Sequence, residues 1–197
     1  MKRTGASIVL LVVGVALAGC TPAAVAAPEV SWQGGKPSGT LESDPWVEAV
    51  RASDLALNSA IVTRDYTGDD LQTTTSTTTI KRVAAAQRSS AEGDRFFTSP
   101  GPTPMIPLSV DEEGDEAMVT VCQAQDWYLD ADQTSVPEDL KGQVAEFRVV
   151  LRDGDQRRSE GGAVRAEECD LAGVSIGLFD PQPDPTETYS PDDVKVP

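Results

Sequence analysis

Asp126 and Tyr128 flank Trp127, placing a carboxylate and a phenol on either side of an indole. A carboxylate among apolar groups has its pKa raised and can act as a base, and a buried phenol can donate to an oxyanion. No third group is tied to this pair by spacing. A strand end carrying packed aromatic rings and an exposed carboxylate is therefore the weightier reading. Asp130-Ala131-Asp132 matches the opening of a calcium loop, but Ser135 then stands at the glycine position and Lys141 at that of the bidentate glutamate. Asp111-Glu112-Glu113-Gly114-Asp115 reads as a solvated hairpin tip. The chain has no histidine, which excludes Ser-His-Asp and Cys-His catalysis and removes the commonest ligand of catalytic zinc. No catalytic residue, metal site or cofactor is assigned from these patterns.

The N-terminus carries a more specific message. Lys2 and Arg3 are the only charges before an apolar run from Ile8 to Ala18. That run fits a signal-peptide core and is too short to span a bilayer comfortably. Leu17-Ala18-Gly19-Cys20 follows and resembles the lipobox of bacterial lipoproteins. The resemblance covers the first 20 positions and implies a diacylglyceryl group on the Cys20 thiol and cleavage before it. Its acyl chains, palmitate among them, would anchor the protein on the extracytoplasmic face of the cell membrane. Two chains hold stably where one holds weakly. The alternative is ordinary secretion, with Ala24-Val25-Ala26 serving a general signal peptidase. If Cys20 carries lipid, Cys122 and Cys169 remain as an even pair, which reads as a disulfide outside the cytoplasm. The expectation is a bridge between two neighbouring strands.

The net charge is −16, from 16 Lys and Arg against 32 Asp and Glu. Removal of Lys2 and Arg3 makes it more negative. Such a chain is repelled by nucleic acid and by anionic lipid heads. The expected state is a soluble-surfaced monomer that binds no nucleic acid.

Several elements are legible around these residues. Residues 1–19 form the signal peptide, and 20–43, rich in Ala, Pro, Gly and Ser, read as the lipidated cysteine and a flexible tether. Trp32 within it either docks on the domain or sits at the membrane interface. Asp44-Pro45 is a helix start, with an N-cap and a proline at the first helical position. Trp46, Val50, Leu57 and Ile61 continue at helical spacing to about Arg64. Tyr66 to Leu71 reads as a turn and a short helical piece. Thr73 to Thr79 is either a glycosylated loop or, as preferred here, a polar lead-in to a helix over Ile80–Arg88 that stops at Gly93. Strands follow: Phe96–Thr98; Met105–Val110, limited by Pro104 and Pro107 to an edge or bulge; Ala117–Cys122, running on towards Tyr128; and Val144–Arg152. Asp153-Gly154 is a hairpin signal. The returning strand before Cys169 is polar and interrupted by Gly161-Gly162. Residues 173–197, acidic and proline-rich, are expected to be disordered.

Helices followed by antiparallel strands predict an α+β domain over 44–172. The order of elements resembles the NTF2-like (cystatin-like) domains of exported lipoproteins in high-GC Gram-positive bacteria. The residues behind this are Trp46 to Leu71, the helix before Gly93, Val119 to Cys122, and the hairpin leading to Cys169. The resemblance implies N-terminal helices packed on a curved antiparallel sheet, together forming a cone, with Asp126, Trp127 and Tyr128 in the cone or at its rim. It also implies a large aromatic residue after the Asp153-Gly154 turn, where this chain has Gln156, Arg157 and Arg158. The favoured function is a non-catalytic binding or accessory module of the cell envelope, whose partner is an envelope protein or a small apolar ligand. The alternatives are a small isomerase or dehydratase and a secreted soluble binding protein.

Overall fold

The computed structural model describes residues 28–197, so Cys20 and the signal peptide (1–19) lie outside the described residues. The chain opens with β1 (Glu29–Gln33) and enters α1 (Pro45–Thr63). The Asp44 carboxylate accepts from Trp46 N at 2.8 Å, and Arg64 closes the helix in the left-handed region at φ 57°. α2 (Asp69–Thr74) and α3 (Thr77–Glu92) follow. Ser76 caps α3 by accepting from Thr79 N, and Gly93 ends it. The threonine run is neither a loop nor only a lead-in: Thr73 and Thr74 end α2, and Thr77 to Thr79 form the first turn of α3. The remaining strands are β2 (Phe97–Thr98), β3 (Met105–Glu113), β4 (Glu116–Ala124), β5 (Leu129–Asp130), β6 (Gly142–Leu151), β7 (Arg157–Cys169) and β8 (Ile176–Asp180).

β3, β4, β6 and β7 form an antiparallel meander in that order. β3 is an edge strand whose register slips between Pro107 and Ser109, as its prolines require. The β3–β4 turn is Gly114-Asp115, with Gly114 at φ 61°. α1 lies on the inner face of this sheet. Trp46, Val47 and Val50 pack there against Val119, Val121, Ala145 and Val149, and Phe147 joins them. Alternation puts these strand residues on one face and leaves Arg148 outside, bonded to Glu116. Burial of such side chains, about 1.5–3 kcal/mol each, is what holds the helix to the sheet.

β4 stops at Ala124, short of the expected continuation to Tyr128. The β6–β7 connection is longer than a two-residue hairpin. Arg152 N donates to Gln156 O at 2.7 Å, with both Gly154 and Asp155 at positive φ. β7 runs through Gly161-Gly162 without ending, because both glycines serve close packing. Gly161, at φ 113°, lies against the Thr79 hydroxyl, and the Phe147 ring covers Gly162. The aromatic residue expected after the turn is replaced by Arg157, whose guanidinium stacks on the Trp46 ring at 4.6 Å. Trp46 Nε1 donates to Glu112 at 3.0 Å.

The Cys122–Cys169 bridge is present, with Cα atoms 5.8 Å apart. The strands it joins are not neighbours, which corrects the expectation. β6 lies between them, and Gly142 pairs with both Ala124 and Cys169. The bridge passes over Gly142, where a Cβ would come within 2.8 Å of Cys122 Sγ. Only a residue without a side chain leaves room for it there.

Both flanks of the predicted domain also need correction. Of the proposed tether, Glu29–Gln33 is a strand paired with Ile176–Asp180. Trp32 and Val30 pack on Gly177, so Trp32 docks on the domain. The C-terminal segment 173–197 is ordered as well. Phe179 and Val194 are fully buried, Lys195 N donates to Arg64 O, and Lys195 O accepts from Tyr66 N. Composition averaged over the segment hides this. Val194, with Tyr189 packed beside it, closes the cluster of Ala60, Tyr66, Leu71, Ile80 and Ala84, and main-chain bonds add to its hold. Among the described residues, no helix is long and apolar enough to cross a membrane.

Candidate functional site

Two of the cavities that border the helices bear on the candidate residues. The larger, about 480 Å³, is a groove built by the β2–β5 pair and the end of α3. Phe96 and Phe97 enter it from the segment after α3, and Trp127 and Tyr128 from the loop before β5. Asn58 and Ile61 of α1, with Ser99, also line it, as do Arg95 and Asp130. The short antiparallel pairing of Phe97 with Asp130 brings the two aromatic dipeptides together across 30 residues of sequence.

The groove rests on polar groups that are already paired. Trp127 Nε1 donates to the Gly101 carbonyl at 2.9 Å. The Ser99 hydroxyl lies 2.7 Å from Asn58 Oδ1 and 2.8 Å from the same carbonyl. Asn58 Nδ2 donates to the Asp54 carboxylate at 3.1 Å. Asp54 also accepts from Thr103 N and the Thr103 hydroxyl, both at 2.7 Å. Burial pushes the Asp54 pKa up to about 6, against the lowering effect of the Thr103 bonds, of nearby Arg51 and of Asn58.

The second cavity, about 160 Å³, lies between the helices and the inner face of β6 and β7. Val50, Leu57, Val83 and Phe147 line it, together with Asp54 and Gln123. It is a third of the size of the aromatic groove. Phe147 lines this smaller cavity and also packs with α1 against the inner face of the sheet.

Asp126, Trp127 and Tyr128 do not form an acid–base pair. Asp126 sits at φ 50° in a turn, with its side chain exposed, and its carbonyl accepts from Tyr128 N. Trp127 is buried, whereas Tyr128 is 38% exposed at the groove. Asp130 uses one carboxylate oxygen to accept from Asp132 N and Gln133 N, a local turn in place of a cation loop. Sequence reasoning placed Phe96 and Phe97 on a strand but saw no site there. It also missed Asp54 and Asn58. The available signal was a polar pair four residues apart inside the apolar periodicity of α1, between Val50 and Ile61.

The fold and site define an α+β domain with helices on an antiparallel sheet and an aromatic groove beside them. No family model, curated protein or solved structure matches the chain.

Proposed function

We propose that the chain matures to a lipoprotein anchored outside the cytoplasmic membrane through Cys20. On this reading its domain is a non-catalytic binding module for a small apolar ligand of about the size of one or two aromatic rings. The observation that carries the binding reading is the groove. Its volume of about 480 Å³ is in the usual range of small-molecule sites, and four aromatic residues line it. The anchor reading is supported by the order of Lys2 and Arg3, the apolar run and Leu17-Ala18-Gly19-Cys20. The Cys122–Cys169 bridge fits an oxidising compartment. The NTF2-like reading draws on α1 lying across the sheet and on the long, bulged β7. On this reading the ligand sits in the aromatic groove, since α1 and Phe147 pack against the inner face of the sheet. A monomer without affinity for nucleic acid fits the strong negative charge.

An isomerase or dehydratase is the second reading, and one observation favours it: Asp54 borders the inner cavity with a raised pKa. Against it, both Asp54 oxygens already accept hydrogen bonds, leaving little capacity to take a substrate proton.

Two measurements test the proposal. Membrane fractionation of Cys20→Ser is expected to move the protein to the soluble fraction, and sedimentation with membranes in high salt would defeat the anchor. Thermal-shift screening with small aryl compounds is expected to find binders whose shift disappears in Phe97→Ala. A full set of compounds shifting neither protein would defeat the groove.

A further inference from the structure

Arg51, Arg64, Arg148, Arg152, Arg158 and Arg165 each hold a carboxylate. Arg95 is exposed at the aromatic groove and holds none among the described residues, although Asp130 lines the same groove. Asp130 in turn uses one carboxylate oxygen to accept from Asp132 N and Gln133 N. Its other oxygen has no partner among the described residues. In a chain with 32 acidic against 16 basic side chains, an arginine left apart from a neighbouring aspartate beside four aromatic rings is an exception.

The fold brings both charges to the Phe97 ring. Asp130 is the direct cross-strand partner of Phe97. Their side chains therefore leave the β2–β5 pair on one face, with Cβ atoms about 5 Å apart. Arg95 precedes Phe97 by two residues, at most about 7 Å along the main chain. Arg95 N donates to Ser90 O at 2.9 Å, which fixes the root of that side chain at the end of α3.

Given that the groove is a small-molecule site, as proposed above, we propose that its ligand is a free aromatic amino acid. The ring lies among Phe96, Phe97, Trp127 and Tyr128, the carboxylate on Arg95 and the ammonium on Asp130. The ring is the apolar part of the ligand, and edge or face contacts with aromatic side chains suit it. Arg95 offers a fork of donors that matches a carboxylate, and the open oxygen of Asp130 accepts from an ammonium. A ligand with only a negative charge would be opposed by Asp130 and by the net charge of −16. A ligand with only a positive charge would face Arg95. A zwitterion satisfies both groups and carries no net charge for the protein's field to repel.

Titration calorimetry with phenylalanine and three blocked forms tests this. The amide keeps only the ammonium, the N-acetyl derivative keeps only the carboxylate, and the N-acetyl amide is neutral. The parent is expected to bind phenylalanine most tightly, with a loss of about fivefold for each blocked group, the size of a partly exposed ion pair. Asp130→Asn keeps an oxygen for Asp132 N and Gln133 N, and is expected to erase the penalty for acetylation alone. Arg95→Gln is expected to erase the penalty for amidation alone. Equal binding of all four compounds would overturn the amino-acid assignment and leave the groove standing as an apolar site. Tighter binding of either singly charged form would overturn it too, making an aryl ion the ligand. If none of the four binds while neutral aryl compounds still shift the melting temperature, the amino acid falls alone. If those fail as well, the groove falls with it.

Discussion

Asp54 shows how a single residue links stability to pH. Its carboxyl titrates near 3.8 when free and near 6 in the fold, chiefly because burial disfavours the charge. Below about pH 4 it is protonated in both states and costs nothing. As pH rises from 4 to 6, the unfolded chain releases the proton first, so the folded state loses stability, and the loss is complete above 6. The cost at neutral pH is on the order of 3 kcal/mol. Urea unfolding of Asp54→Asn is expected to give a flatter stability profile than the parent between pH 4 and 6. Parallel profiles would mean that Asp54 titrates normally. Asp65 and Glu160 act in the opposite sense and at lower pH. Their pKa values are depressed, Asp65 chiefly by the Thr67 hydroxyl and Glu160, despite its partial burial, by Arg152 and Arg158, so their contributions fade as the solution becomes acid. None of this was legible in the sequence. Asp54 did not stand out there, because its partner Thr103 arrives from a distant loop.

At the scale of elements, the disulfide carries the largest expected effect. It closes a loop of 47 residues, for which the chain-entropy model gives about 4 kcal/mol. Replacing both cysteines by serine is expected to lower the urea midpoint by a corresponding amount, and a change under 1 kcal/mol would show that β7 holds by itself. The pairing was legible from parity and address, but its geometry was not. The sequence suggested neighbouring strands, whereas the bridge crosses β6 at Gly142, and nothing local announces a crossing. α1 was legible almost to the residue, because Asp44, Pro45 and the spacing of Trp46, Val50 and Ile61 are all local signals. The pairing of β1 with β8 was hidden because it joins residues near opposite ends of the chain. The ordered tail was hidden because Val194 counts little in any average. Val194→Asp is therefore expected to cost about 3 kcal/mol by burying a charge in the Tyr66 cluster. A neutral effect in chemical denaturation would show that the tail detaches freely.

The whole molecule, as proposed, combines an anchor at Cys20 with an α+β domain whose aromatic groove is open. The proposed address rests on linear order alone, the charges, apolar run and Leu17-Ala18-Gly19-Cys20, and lies outside the described residues. The groove was not legible in the sequence, because it depends on the short β2–β5 pairing that joins Phe97 to the Trp127 loop. The central claim is that one protein carries an anchor on Cys20 and a small apolar ligand at this groove. Native mass spectrometry of the protein purified from its own membrane tests both parts at once. The predicted result is a chain beginning at a lipidated Cys20, two hydrogens light for the disulfide, with a retained small molecule that is absent from the Phe97→Ala variant. A chain with an unmodified Cys20, or one whose parent form retains no more than the variant does, would contradict it.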